Sequence, residues 1–156
     1  MRRKDREVTD NAEIEGIIRR CDYIHLGLMD EEKPYIVPLN FGVLRNDGQF
    51  IFYMHAAKEG KKLDLIRRCS TAAFCLDTGH GVVEGSIECT WSYSYESVMG
   101  NGRVELVEDR EEKRRGLACI FHQYAGARAF FVPEQALENV AVLRLTVEEI
   151  SGKRQV

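Results

Sequence analysis

The stretch PYIVPLNFGVLRNDGQFIFYMHAAKEGKKLDLI, from Pro34 to Ile66, decides how this chain is read. It holds two strand-like runs joined by a turn, then an abrupt polar loop that opens a helix. Pro38 stands in the first run, ahead of Leu39, Asn40 and Phe41, where a central strand would lose a ladder N–H. The backbone there is free to meet something other than a neighbouring strand. Asn46-Asp47-Gly48 supplies the turn. The second run, Gln49 to His55, alternates Phe50, Phe52 and Met54 on one face against Ile51, Tyr53 and His55 on the other. It delivers His55 to its end, beside Ala56-Ala57-Lys58-Glu59-Gly60-Lys61-Lys62. Three lysines against one glutamate are the wrong sign for a helix N-terminus, which favours anions. A bound phosphate would repair the mismatch, because free N–H groups and a positive end suit it. Lysines simply solvated at the surface are the plain alternative.

Toward the N-terminus, Tyr23 to Met29 alternates strictly, with Ile24, Leu26 and Leu28 on one side and Tyr23, His25, Gly27 and Met29 on the other. The short polar link Asp30–Lys33 then predicts an antiparallel hairpin. Asp10 with Glu13 forms a capping-box pattern for a short helix faced by Ile14, Ile17, Ile18 and Cys21. Toward the C-terminus, Leu63, Ile66 and Cys69 mark the inner side of a helix. Thr71–Leu76 reads as a strand and Asp77–Gly81 as a turn or loop. Ile87 to Val107 favours strand but is too long for one uninterrupted strand, and Gly100-Asn101-Gly102 breaks it by a turn or bulge. Asp109 and Glu112 start a helix with the stripe Leu117, Ile120, Phe121 and Tyr124. Pro133 opens a short helix through Glu138, and Ala141–Val147 closes the pattern as a strand. Strands in hairpins with a few inserted helices predict a mainly β fold: an antiparallel β-barrel with peripheral helices.

The totals bound the function. A chain of 156 residues, 44% hydrophobic and 30% charged, reads as one globular domain over 1–156. A net charge of -3 argues against nucleic acid as the main partner. No apolar run approaches the ~20 residues that span a bilayer, and no secretory h-region is visible. Five scattered cysteines, Cys21, Cys69, Cys75, Cys89 and Cys119, predict reduced, mostly buried thiols and a cytoplasmic location.

Most chemical signatures are missing. Gly79, Gly81 and Gly85 miss the dinucleotide spacing by one residue. No Cys-x-x-Cys occurs and the histidines are widely spaced, so no metal site is expected. Cys69 comes at a helix end rather than a helix start and reads as packing, and no Gly-x-Ser-x-Gly elbow exists. Trp91, Tyr93 and Tyr95 share one strand face, which suits core, a dimer interface or a flat ligand platform. His55 reads either as a strand-end histidine or as a phosphate-binding or acid–base group.

The segments MRRKDREVTD, KPYIVPLNFGV, FYMHAAKEGKKLDLI and YESVMGNGRVELVEDREEK, in that order along nearly the whole chain, resemble the pyridoxamine-5′-phosphate-oxidase-like flavoproteins. More narrowly, they are similar to the branch related to nitroimidazole-resistance proteins. The resemblance implies an FMN-binding split β-barrel, working as a homodimer with FMN at the subunit interface and a small-molecule electron acceptor. It places Pro38, Leu39, Asn40 and Phe41 along the isoalloxazine, with main-chain N–H groups tuning the flavin. It assigns His55, with Lys61 or Lys62, to the phosphate, and Ser97 and Val98 near the ring. It also gives His55 a catalytic role toward substrate. Two departures stand out: Ala56 replaces a frequent serine, and Cys69-Ser70 replaces Asn-Pro. The chain also lacks the Arg-rich substrate region of true pyridoxamine-phosphate oxidases, so vitamin B6 oxidation is not expected. The expected activity is an FMN-dependent oxidoreductase; a non-catalytic FMN carrier or sensor, or a relative using deazaflavin or haem, are the alternatives.

Overall fold

Every strand pairing is antiparallel among residues 3–155, the part of the computed structural model described here. In chain order the elements are β1 (Glu7–Val8), α1 (Asn11–Arg20), β2 (Ile24–Asp30), β3 (Lys33–Leu39), β4 (Phe41–Asn46), β5 (Gln49–Ala56) and α2 (Lys61–Arg68). Then follow β6 (Thr71–Val83), β7 (Ser92–Leu106), α3 (Arg110–Ala125), α4 (Glu134–Glu138) and β8 (Ala141–Gln155). The sheet runs β3-β2-β6-β7-β8-β5-β4, with β1 added to β8. Its two edge strands are consecutive in sequence and joined by Asn40 alone. The result is the expected antiparallel split barrel with helices at its periphery.

The run from Pro34 to Arg45 is therefore not one strand. It breaks at Asn40 and its halves pair with β2 on one edge and β5 on the other. Pro34 and Pro38 both fall on the edge strand β3, where a missing N–H costs no ladder bond. Asp77–Gly81 is also corrected. It stays within β6 and is accommodated by a bulge between Thr78 and Gly81, with Gly79 at φ 70°. The Gly100–Gly102 break is a bulge against β8, between Asn101 and Gly102, and β7 continues through it.

The barrel interior takes one face of each strand. Leu26, Phe41, Phe52, Phe74, Leu76, Val98, Leu143 and Leu145 are buried together with Ile14, Ile17 and Ile18 of α1 and Leu63 of α2. Burying a Leu or Phe side chain contributes about 1.5–3 kcal/mol each. Asp10 caps α1 by accepting from the N–H groups of Ala12 and Glu13, and Asp109 caps α3 through that of Glu112. A second cluster, Tyr53, Val107, Cys119, Ile120 and Val142, lies under α3. The buried stripe of α3 is Gly116, Cys119 and Ile120. That helix sits so close to β4 that a Cβ on Gly42 would collide with the backbone of Cys119 and Ile120. No helix among the described residues is long and apolar enough to cross a membrane.

Candidate functional site: a cleft at the split of the barrel

Splitting the sheet at Asn40 opens a cleft of about 610 Å³ between the end of β3 and the end of β5. This volume lies within the ~300–1,000 Å³ of ordinary small-molecule sites. Pro38, Leu39 and Asn40 line it from one side, His55, Ala56 and Ala57 from the end of β5, and Tyr23 and His25 from the start of β2. The period-2 alternation of β5 explains why His55 is exposed at its end while Met54 is buried in the core.

The remaining residues implied by the resemblance stand elsewhere. Phe41 is fully buried, and its N–H donates to the Tyr124 hydroxyl at 3.1 Å. The Tyr124 O–H in turn donates to the Asp22 carbonyl at 2.8 Å. The Phe41 N–H is thus already spent inside the fold. Val98 is buried in the barrel, and Ser97 lies on the outer face of β7 in register with Asp77 and Lys153. Neither lines the cleft.

Downstream of Ala57, the two lysines separate. The Lys61 ammonium binds Asp30 at 2.7 Å and lies 5.2 Å over the Tyr35 ring, so it fastens α2 to the β2–β3 hairpin. Its guanidinium neighbour Arg68 reaches the same carboxylate at 3.5 Å. The Lys61 hydrogen bond, reinforced by charge from Lys61 and Arg68, outweighs desolvation and holds the Asp30 carboxyl below its ordinary range. Lys62 makes no ion pair among the described residues. No side chain caps α2, whose first residue follows Gly60 at φ 134°. A free lysine beside uncapped N–H groups, five residues past the cleft wall at Ala57, suits a phosphate.

Two features escaped the sequence reading. His25 and Tyr23 belong to the cleft, and the rings pack edge to face at 5.1 Å. Their alternation on the outer face of a strand was visible; their meeting with His55 depends on the curl of the sheet. The aromatic strand Trp91–Tyr95 is not core: Trp91 and Tyr93 are half exposed on the β6–β7 arm. The cysteines are all unpaired, but only Cys21 and Cys119 are buried; Cys69 and Cys75 are half-buried and Cys89 is exposed. No cluster of three metal-ligating side chains occurs among the described residues.

The family model described as pyridoxamine 5′-phosphate oxidase matches residues 10–154. The chain belongs to this family. No curated protein matches it. A structure from Bacteroides thetaiotaomicron, of a protein with a proposed role in 5-nitroimidazole antibiotic resistance, is 35% identical. The match covers 95% of this chain and 86% of that one, with a TM-score of 0.82. Two further solved structures share the fold. The flavocytochrome of Azotobacter vinelandii is 21% identical over 100% of this chain and 72% of its own, with a TM-score of 0.81. The FAD and haem binding protein of Mycobacterium smegmatis is 18% identical over 96% and 73%, with a TM-score of 0.82. This pyridoxamine 5′-phosphate oxidase family member keeps their split barrel in a chain of 156 residues.

Proposed function

We propose that the chain is an FMN-dependent oxidoreductase acting on a small-molecule acceptor in a reducing, cytoplasmic compartment. The observation that carries this reading is the cleft walled by Pro38–Asn40 and His55, whose β5 wall leads within five residues to the uncapped start of α2 with Lys62 unpaired. The cleft would take the ring system, and the α2 N–H groups with Lys62 would take the phosphate. The bound flavin supplies the electrons; the chain binds and orients it, and His55 at the exposed rim exchanges protons with solvent. Ala56 offers no hydroxyl at the cleft wall, which leaves the phosphate to Lys62 and the backbone.

A homodimer is part of the proposal. The outer face of the sheet exposes Ile36, Met99, Val82, Trp91 and Tyr93. Ile36 stands on the β3 edge, Val82, Tyr93 and Met99 on the β6–β7 arm and Trp91 just ahead of β7, and large apolar side chains exposed in this number suit an interface. A second copy would cover it and wall the cleft, with Ser97 facing the neighbour. The test is to load the protein with FMN, reduce it with a nicotinamide dinucleotide, and add a 5-nitroimidazole or a quinone as acceptor. Multiple turnovers by a species of dimer mass support the proposal. Stable FMN binding without turnover would make the protein a carrier, and a monomer would remove the interface from the account.

A further inference from the structure

The cleft holds a second imidazole. Of the four histidines, His80 pairs with Asp77 at 2.9 Å and His122 with the Arg128 carbonyl at 3.1 Å. His25 and His55, which both line the cleft, have no polar partner in the protein among the described residues. They differ in how firmly they are held. His55 is exposed at a strand end. His25 is half-buried within β2, in register with Pro38 on one side and Cys75 on the other, with the Tyr23 ring edge-on at 5.1 Å and 89°. Behind it lies a hollow of about 150 Å³ walled by Gly27, Ile36, Ala73, Phe74 and Cys75, which presents no strong hydrogen-bonding side chain. The polar demand of this imidazole is met only on the cleft side.

We propose that His25 delivers the proton that accompanies reduction of the acceptor, with Tyr23 as its positioning residue; this rests on the flavin reading above. The ligand class is an acceptor with a polar double bond, such as a quinone or another carbonyl. A reduced flavin held in the cleft would supply two electrons and one hydrogen to one end of the acceptor's conjugated system. The oxygen at the other end of that system takes the proton that His25 delivers. The acceptor would gain both electrons and one hydrogen from the flavin and one proton from His25, and solvent returns the proton to the imidazole. Preorganisation favours His25 for this step, because a packed donor needs no reorientation as charge develops. The titratable groups that face it are Tyr23, His55 across the cleft, and Cys75, whose thiol burial pushes up with help from Asp77. No carboxylate lines either space.

The test uses the FMN-loaded full chain. FMN affinity is first measured by flavin fluorescence for wild type, His25→Ala, His25→Gln and Tyr23→Ala. Each holoprotein is then reduced with dithionite and mixed with duroquinone in a stopped-flow instrument. The expected result for His25→Ala is oxidation slowed about 10²-fold or more, beyond whatever change the loss of a cleft-lining side chain makes in FMN affinity. Added imidazole restores part of the rate in His25→Ala, and Tyr23→Ala shows a smaller loss. Unchanged oxidation in His25→Ala overturns the assignment. So does a rate that falls only in step with FMN affinity and is not rescued by imidazole. A wild-type protein that never takes up FMN overturns the flavin reading itself, and is recognised at the first step.

Discussion

Lys61 and Lys62 are adjacent in sequence, yet the fold gives them different work, and single substitutions separate them. Lys61 is engaged by Asp30 at 2.7 Å and by the Tyr35 ring. Lys62 stands free of any ion pair among the described residues, at an uncapped helix start. A charge-assisted hydrogen bond to phosphate is worth about 1.5–3 kcal/mol. Lys62→Ala should therefore weaken FMN binding by about 10- to 100-fold. Lys61→Ala should change it by no more than about threefold, since it releases an exposed surface pair of small net value. The assay is quenching of flavin fluorescence on titration, run in parallel with FMN and riboflavin. Riboflavin lacks the phosphate, so its affinity should hardly respond to Lys62→Ala, and the preference for FMN should collapse in that variant alone. Equal losses in the two lysine variants would refute the division of roles. A riboflavin affinity that falls as far as that of FMN would refute the phosphate assignment.

Three further outcomes follow from the packing and charges. Tyr124→Phe leaves the buried Phe41 N–H without its acceptor, at a cost of about 1–3 kcal/mol; the denaturant midpoint should fall with an unchanged slope. Burial of Glu96 opposes ionisation, but Arg20 at 2.7 Å and Arg154 at 2.6 Å outweigh it and hold the carboxyl below its ordinary value of 4.5. The stabilisation this confers is complete above that value and is lost as pH falls through the lower folded-state value. Thermal melts of wild type and Glu96→Gln should therefore differ near neutrality and converge in acid; a constant gap contradicts this. Burial pushes the Cys21 thiol up to about 12 and Cys119 to about 11, whereas Cys89 is exposed. A disulfide reagent near pH 8 should label Cys89 at once and leave Cys21 and Cys119 until the protein unfolds, as peptide mapping would show.

Local pattern carried most of the fold. The alternation of Phe50, Phe52 and Met54, the caps at Asp10 and Asp109, and the turn at Asn46–Gly48 are short-range signals, and each appears in the structure. The break at Asn40 was not legible, because both halves of the run look like strand. Only closure of the sheet decides that they pair on opposite edges. Thr78–Gly81 misled for a related reason: glycines that suggest a loop also permit a bulge inside a continuing strand. In α3 the buried stripe includes Gly116, where a Cβ would crowd the Tyr53 ring, and no hydrophobic pattern reports a glycine chosen for close approach. Of the candidate site, His55 was readable at the end of its strand and Pro38, Leu39 and Asn40 through the family resemblance, and the structure brings them together. His25 was not, since β2 and β5 are separated by β6, β7 and β8 in the sheet. The inequality of Lys61 and Lys62 was equally hidden, because it depends on where Asp30 lands after the β2–β3 hairpin folds back.

The central claim is that the split of this barrel holds FMN. The most direct measurement is the visible spectrum of the purified chain, mixed with excess FMN and passed through gel filtration. The account predicts a flavin spectrum co-eluting with a dimer, in a ratio near one flavin per chain. Protein that elutes colourless, with all of the flavin in the small-molecule fraction, would contradict it.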